Sequence, residues 1–142
     1  MPGVGPAKER QDAMTSDRCI CLGDDCIAAK EAIRAARYIA RLVDESHFGV
    51  SIEQCVRCGQ HFLTLFCEMV DWADSDDPQV WVAVPVSEDE VEKLRTADIA
   101  ADENTILKII ANDRRFLLHD MPKGAPDRLA WMTRRPFIPG HD

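Results

Sequence analysis

A chain of 142 residues is long enough for one domain with a buried core, and a hydrophobic content of 46% excludes a compositionally disordered protein. The formal net charge of −8 argues against generic binding to nucleic acid or to an anionic membrane, because phosphate contacts need clustered Lys and Arg. No apolar run approaches the roughly 20 residues that span a bilayer, and the Gly- and Pro-rich N-terminus lacks the apolar core of a signal peptide. We therefore expect a cytoplasmic protein without membrane contacts.

The chain is predicted to contain one folded domain between two loose ends. Residues 1–17 are expected to form a flexible tail because they are rich in Gly, Pro and polar side chains. Residues 18–133 are expected to form a single metal-binding domain. Residues 134–142 contain two prolines and a glycine, which predict a loose C-terminal tail.

Residues 24–45 are predicted to form the first helix. Asp24 and Asp25 stand at its start, where carboxylates favour the positive end of the helix dipole. Apolar residues then recur at spacings of three and four, with basic residues beside them, as on two faces of a helix. The apolar stripe is Ala29, Ile33, Ala36, Ala40 and Val43, and the basic stripe is Lys30, Arg34, Arg37 and Arg41.

Three strands are predicted to follow as a meander. Residues 48–56 begin with alternating apolar and polar side chains, residues 60–72 are heavily apolar, and residues 80–86 are rich in valine. An Asp- and Pro-rich turn at 74–78 separates the second strand from the third.

Two helices and a hairpin are predicted after the meander. Ser87 followed by Glu90 forms the pattern of a capping box, which predicts a helix to about Arg95. A second helix is predicted over 102–112, and a hairpin over 116–119 and 128–133. Together the elements predict an α+β fold, in which a small antiparallel sheet carries the N-terminal helix and two later helices packed on it.

The sharpest motif is Cys55-Val56-Arg57-Cys58-Gly59, between the first two predicted strands. A C-x2-C turn places two thiolates on one side of a metal ion, and the glycine permits the backbone conformation of a tight turn. These residues resemble the knuckle of zinc-ribbon and rubredoxin-like domains, and the resemblance covers Cys55 to Phe62. It implies half of a zinc site at the tip of a hairpin. The pair is also compatible with a redox function or with plain thiols.

A second pair of cysteines is needed to complete a tetrahedral site. Cys21 and Cys26 are separated by four residues, and Cys26 would lie in the first helical turn, where the dipole stabilises a thiolate. We predict Cys21, Cys26, Cys55 and Cys58 as ligands of one structural zinc ion, with Cys19 as the alternative ligand. Iron is less favoured because a rubredoxin site usually has two C-x2-C knuckles.

The sequence contains none of the common catalytic motifs, and four cysteine ligands would leave no open position on the metal. We therefore favour a non-enzymatic interaction module, an adaptor, inhibitor or regulator that binds a protein partner. One candidate surface is the acidic stretch from Cys58 to Glu92, which contains no Lys or Arg, although a solvated turn and an acidic helix start also explain it. The alternatives are a thiol-redox or redox-sensitive zinc protein using Cys55 and Cys58, and a nucleic-acid binder using the basic face of helix 24–45.

Overall fold

The computed structural model describes residues 18–68, 78–99 and 102–138. The predicted tail 1–17 and residues 74–77 of the predicted turn lie outside the described residues. The described residues form a six-stranded antiparallel sheet in which each strand pairs with the next one along the chain. In chain order the elements are a 3-10 turn (Ile20–Leu22), α1 (Cys26–Arg34), β1 (Arg37–Glu45), β2 (Phe48–Gln54), β3 (His61–Glu68), β4 (Gln79–Val86), α2 (Glu88–Thr96), α3 (Thr105–Ile109), β5 (Arg114–Met121) and β6 (Arg128–Arg134).

The predicted fold class is wrong, because the six-stranded sheet dominates the described residues. The helix predicted over 24–45 covers only Cys26–Arg34, and Arg37–Glu45 is a strand instead. The helix predicted over 102–112 is a single five-residue turn, Thr105–Ile109. Among the described residues, only α1 and α2 have seven or more residues.

The pairing of β1 with β2 explains why residues 37–45 have the apolar spacing of a helix. The register between the two strands shifts twice, between Tyr38 and Ala40 and between Arg41 and Val43. Each shift interrupts the strict alternation of side chains in a strand, so apolar residues recur at spacings other than two. This made a strand resemble a helix. Only half of the basic stripe predicted for helix 24–45 is helical, since Lys30 and Arg34 lie on α1 whereas Arg37 and Arg41 lie on β1.

The first face of the sheet carries the larger core, covered by α2, α3 and the end of the described chain. Leu94 and Ile106 are fully buried against strand residues such as Ile52 and Val82. The predicted capping box is confirmed, because Ser87 accepts from the backbone of Glu90 and Glu90 accepts from that of Ser87.

The C-terminal residues that the structure describes also pack on the first face. Ile138 is fully buried, and the ring of Phe137 meets that of Phe116 edge-on at 6.0 Å between centroids. Both residues lie in the segment 134–142 for which a loose tail was expected. Residues 139–142 lie outside the described residues.

The second face carries the 3-10 turn and α1. Ala29 and Ile33 of α1 are buried with Phe62, Ala83 and Leu117 of the sheet. This smaller cluster also contains Cys21 and Cys55, so the N-terminal segment and its cysteines are part of the folded core. Within the described ranges, no helix is long and apolar enough to cross a membrane.

Candidate metal centre

The turn between β2 and β3 holds the first pair of cysteines. The amide of Cys55 donates to the carbonyl of Gln60 at 2.8 Å, and the amide of Gly59 donates to the carbonyl of Cys55 at 3.0 Å. Gly59 has a φ of 83°, in the left-handed region that a side chain disfavours. Gln54 donates its side-chain amide to the carbonyl of Gly59 at 3.2 Å and so closes the turn from the strand side.

The 3-10 turn before α1 holds the second pair. The amide of Leu22 donates to the carbonyl of Cys19 at 2.9 Å, and the amide of Gly23 donates to the carbonyl of Ile20 at 3.0 Å. This tight winding brings Cys19 and Cys21 to the same side of the segment, facing the turn between β2 and β3.

The sulfur atoms of Cys19, Cys21, Cys55 and Cys58 all lie within 4.8 Å of one another. The Sγ atoms of Cys21 and Cys58 are 3.6 Å apart, and those of Cys19 and Cys55 are 3.8 Å apart. A regular tetrahedron with metal–sulfur bonds of about 2.3 Å has its sulfurs about 3.8 Å apart. The four cysteines could therefore coordinate one metal ion.

The fourth member of this group is Cys19, and Cys26, the ligand predicted from the sequence, is not among the four. Cys26 is the first residue of α1, and its sulfur lies 3.8 Å from the carbonyl oxygen of Asp24, outside the four-sulfur group. In an extended chain, the two sulfurs of a C-x-C pair cannot both reach one ion without strain. The 3-10 turn relieves that strain, and the spacing of the cysteines alone does not predict the turn. Cys67 is buried on β3 in the core of the first face.

The thiols of Cys21, Cys55 and Cys58 differ in how easily they ionise. Burial, together with the neighbouring sulfurs, raises the pKa of Cys21 far above its ordinary value. Burial also raises the pKa of Cys58, against a hydrogen bond from the backbone of Gln60. Burial opposes ionisation of Cys55 as well, but hydrogen bonds from the backbones of Cys58 and Arg57 and from the thiols of Cys21 and Cys19 together outweigh it and lower its pKa to about 7. Four thiolates in this space need a cation to balance them.

Two side chains of the sheet, Arg115 and Trp131, fix the N-terminal segment in place, and neither was predicted from the sequence. Arg115 of β5 donates to the carbonyl of Leu22 at 2.7 Å and to the carboxylate of Asp24 at 2.9 Å. Its guanidinium also stacks on the ring of Trp131 at 3.8 Å. These partners are about ninety residues apart, so no local sequence signal points to the contact.

Comparison with protein-family models, with curated proteins and with solved structures finds no match for this chain. The resemblance to zinc-ribbon and rubredoxin-like domains therefore stays confined to the turn Cys55 to Phe62. The chemistry of the site is inferred from the four-sulfur group itself.

Proposed function

We propose that the protein is a non-enzymatic binding module whose fold is stabilised by one structural zinc ion. The observation that carries the proposal is the four-sulfur group, whose spacing suits a tetrahedral ion. Four cysteine ligands close the coordination sphere of zinc, whereas a catalytic zinc keeps one position for water or substrate. This favours a structural role over catalysis.

The ion would join two segments that are 36 residues apart, at Cys19 and Cys55. One segment leads into α1, and the other connects two central strands of the sheet. Because the site is assembled only in the folded chain, the free energy of metal binding contributes to folding. Zinc would thereby hold α1 against the second face. A protein partner, as predicted from the sequence, stays a prediction.

The test is native mass spectrometry with elemental analysis on the full chain, purified without chelator or affinity metal. We expect one zinc per chain, and a large fall in the melting temperature when a strong chelator removes it. Cys67→Ser is the matched control, since it removes a buried thiol away from the four-sulfur group and should retain the metal. A metal-free chain that melts identically with and without chelator would contradict the proposal.

A redox-sensitive zinc site is the second candidate, favoured by the exposure of one ligand. Cys58 is exposed, and it lines a cavity of about 440 Å³ with Arg18, Leu22 and His61 among its neighbours. A small oxidant can therefore reach this sulfur, and oxidation of one ligand would release the ion. Zinc release by sub-stoichiometric peroxide, reversed by a thiol reductant, would support this function. Retention of zinc under those conditions would contradict it.

A further inference from the structure

A groove crosses the second face at the end of the sheet away from the cysteines. Its floor is Phe66 of β3 and Trp81 of β4, which are direct partners in the sheet. The two rings separate two adjoining cavities, about 320 Å³ on the α1 side and about 270 Å³ on the β1 side. Both rings are partly exposed, and the two cavities together have the size of a small-molecule site.

The α1 side of the groove is cationic. Lys30 and Arg34 stand one helical turn apart, and both line the cavity above Trp81. The ammonium of Lys30 lies 2.5 Å from Nδ1 of His119 and 5.0 Å from the centre of the Trp81 ring. Arg34 has no carboxylate partner within the described ranges, although the chain carries a net charge of −8. Two positively charged side chains at one end of the groove suit the anionic group of a ligand.

Contacts of the Lys30 side chain leave donors free for a ligand. His119 is held between Lys30 and Asp127, whose carboxylate lies 3.3 Å from Nε2. A charged lysine has three N–H donors, and His119 takes only one of them. Burial, together with the charge of Arg34, lowers the pKa of Lys30, an electrostatic cost that a bound anion would relieve.

The β1 side of the groove contains two buried hydroxyl side chains beside a carboxylate. Ser51 and Thr64 are the only buried polar residues in the described part of the chain, with 9% and 7% exposure. Their hydroxyl oxygens are 2.9 Å apart, and Ser51 also donates to the carboxylate of Glu53 at 3.0 Å. Burial raises the pKa of Glu53, against the hydrogen bonds from Ser51 and Thr64. Such a polar chain in a sheet face suits a ligand with a hydrogen-bonding edge.

We propose that this groove binds a nucleoside monophosphate. The base stacks on Trp81 and Phe66, as bases do on aromatic platforms of sheet faces. The polar edge of the base faces Ser51 and Glu53, about two strand spacings from Trp81. The phosphate pairs with Lys30 and Arg34. Because Arg41 lines the β1 side as well, charge alone does not select the ligand. A simple anion would leave the two aromatic rings uncovered, and a purely apolar ligand would leave Lys30 and Arg34 without a counter-charge.

The proposal extends beyond a structural zinc function but is linked to it through α1. The same helix begins five residues after Cys21 and ends at Arg34, so metal binding would fix the cationic wall of the groove. The two proposals fail separately. A zinc-free chain that binds the nucleotide would overturn only the zinc proposal, whereas a zinc-containing chain that binds no nucleotide would overturn only this one.

The experiment is isothermal titration of the full chain with AMP, GMP, CMP and UMP, followed in parallel by Trp fluorescence. We expect one site per chain for at least one of them. The matching nucleoside and inorganic phosphate should each bind at least tenfold more weakly than the nucleotide. The nucleoside lacks the phosphate that pairs with Lys30 and Arg34, and inorganic phosphate lacks the base that stacks on the rings. Equal affinity for inorganic phosphate and the nucleotide would overturn the proposal, as would the absence of binding for all four at millimolar concentration.

Variants locate the ligand within the groove. Arg34→Glu should weaken binding at least tenfold without unfolding the chain, because Arg34 is exposed. Lys108→Glu makes the same charge change at an exposed position on α3, which packs on the first face, and should leave the affinity unchanged. Trp81→Leu should abolish the fluorescence response and weaken binding at least tenfold, with folding checked by circular dichroism. Nucleotide binding that survives both groove variants would contradict the assignment.

Discussion

The indole N–H of Trp131 on β6 donates a hydrogen bond of 2.7 Å to the carbonyl oxygen of Gly23. Gly23 directly follows the 3-10 turn that contains Cys21, so the last strand of the sheet holds the segment that supplies two of the four sulfurs. Arg115, stacked on Trp131, holds the residues on either side of Gly23. Contacts from the sheet therefore position the segment that brings Cys19 and Cys21 into the four-sulfur group.

Trp131→Phe should lower the free energy of unfolding by about 1 kcal/mol, because the carbonyl of Gly23 loses its partner while the ring remains. Urea denaturation of the metal-loaded chain measures this change. Trp81→Phe is the matched control, since its indole N–H has no hydrogen-bond partner in the part of the chain that the structure describes. If both variants unfold at the same urea concentration as the parent, the Gly23 contact contributes nothing.

Cys19→Ser and Cys26→Ser should differ in metal content. Cys19 belongs to the four-sulfur group, so its loss should remove zinc or weaken binding at least a hundredfold, whereas Cys26 lies outside the group and its loss should leave one zinc per chain. Competition with a colorimetric chelator measures both affinities. The opposite result, with Cys26 required and Cys19 dispensable, would restore the ligand set preferred from the sequence.

Gly59→Ala should destabilise the chain by about 1–2 kcal/mol, because a side chain at a φ of 83° is strained. The cost should appear in both the melting temperature and the zinc affinity, since this turn carries Cys55 and Cys58. Gly23→Ala serves as control: its φ of −76° is allowed for any residue, and the new Cβ meets no atom closer than 3.4 Å. Equal melting temperatures for the two variants would argue against a strained turn at Gly59.

Glu90→Gln should lower stability by about 1–2 kcal/mol at neutral pH and by less at pH 3. Glu90 pairs with Arg114 through two hydrogen bonds of 2.8 and 2.6 Å, and both side chains are 15% exposed. Hydrogen bonds from Arg114 hold the pKa of Glu90 below its ordinary value of about 4.3. The pair therefore stabilises the fold above that value, and its contribution is lost as the pH falls through the folded pKa.

Urea denaturation of the parent and of Glu90→Gln at pH 7 and pH 3 tests this prediction. Glu92→Gln, at an exposed position on the same helix, is the control and should behave like the parent at both values. A stability difference between parent and Glu90→Gln that is the same at pH 7 and pH 3 would contradict the linkage.

Several local features of the fold follow from neighbouring residues alone. The capping box at Ser87 depends on Glu90 three residues later, and the turn at Cys55 depends on Gly59 four residues later. Strands predicted over 48–56, 60–72 and 80–86 correspond to β2, β3 and β4, because their apolar content and alternation match a sheet. Residues 69–72 of the second prediction lie outside the described residues. These features are stabilised by contacts within a few residues, which a sequence pattern records directly.

The tertiary structure alone decided where α1 ends, which strand begins the sheet and which cysteines meet. Residues 37–45 fit a helical stripe, and their pairing with β2 across two register shifts made them a strand. Cys19 lies in the four-sulfur group because the 3-10 turn orients it and because Arg115 and Trp131, more than ninety residues away, fix that turn. Such long-range contacts leave no periodic trace in the sequence, since each depends on the packed position of a distant segment.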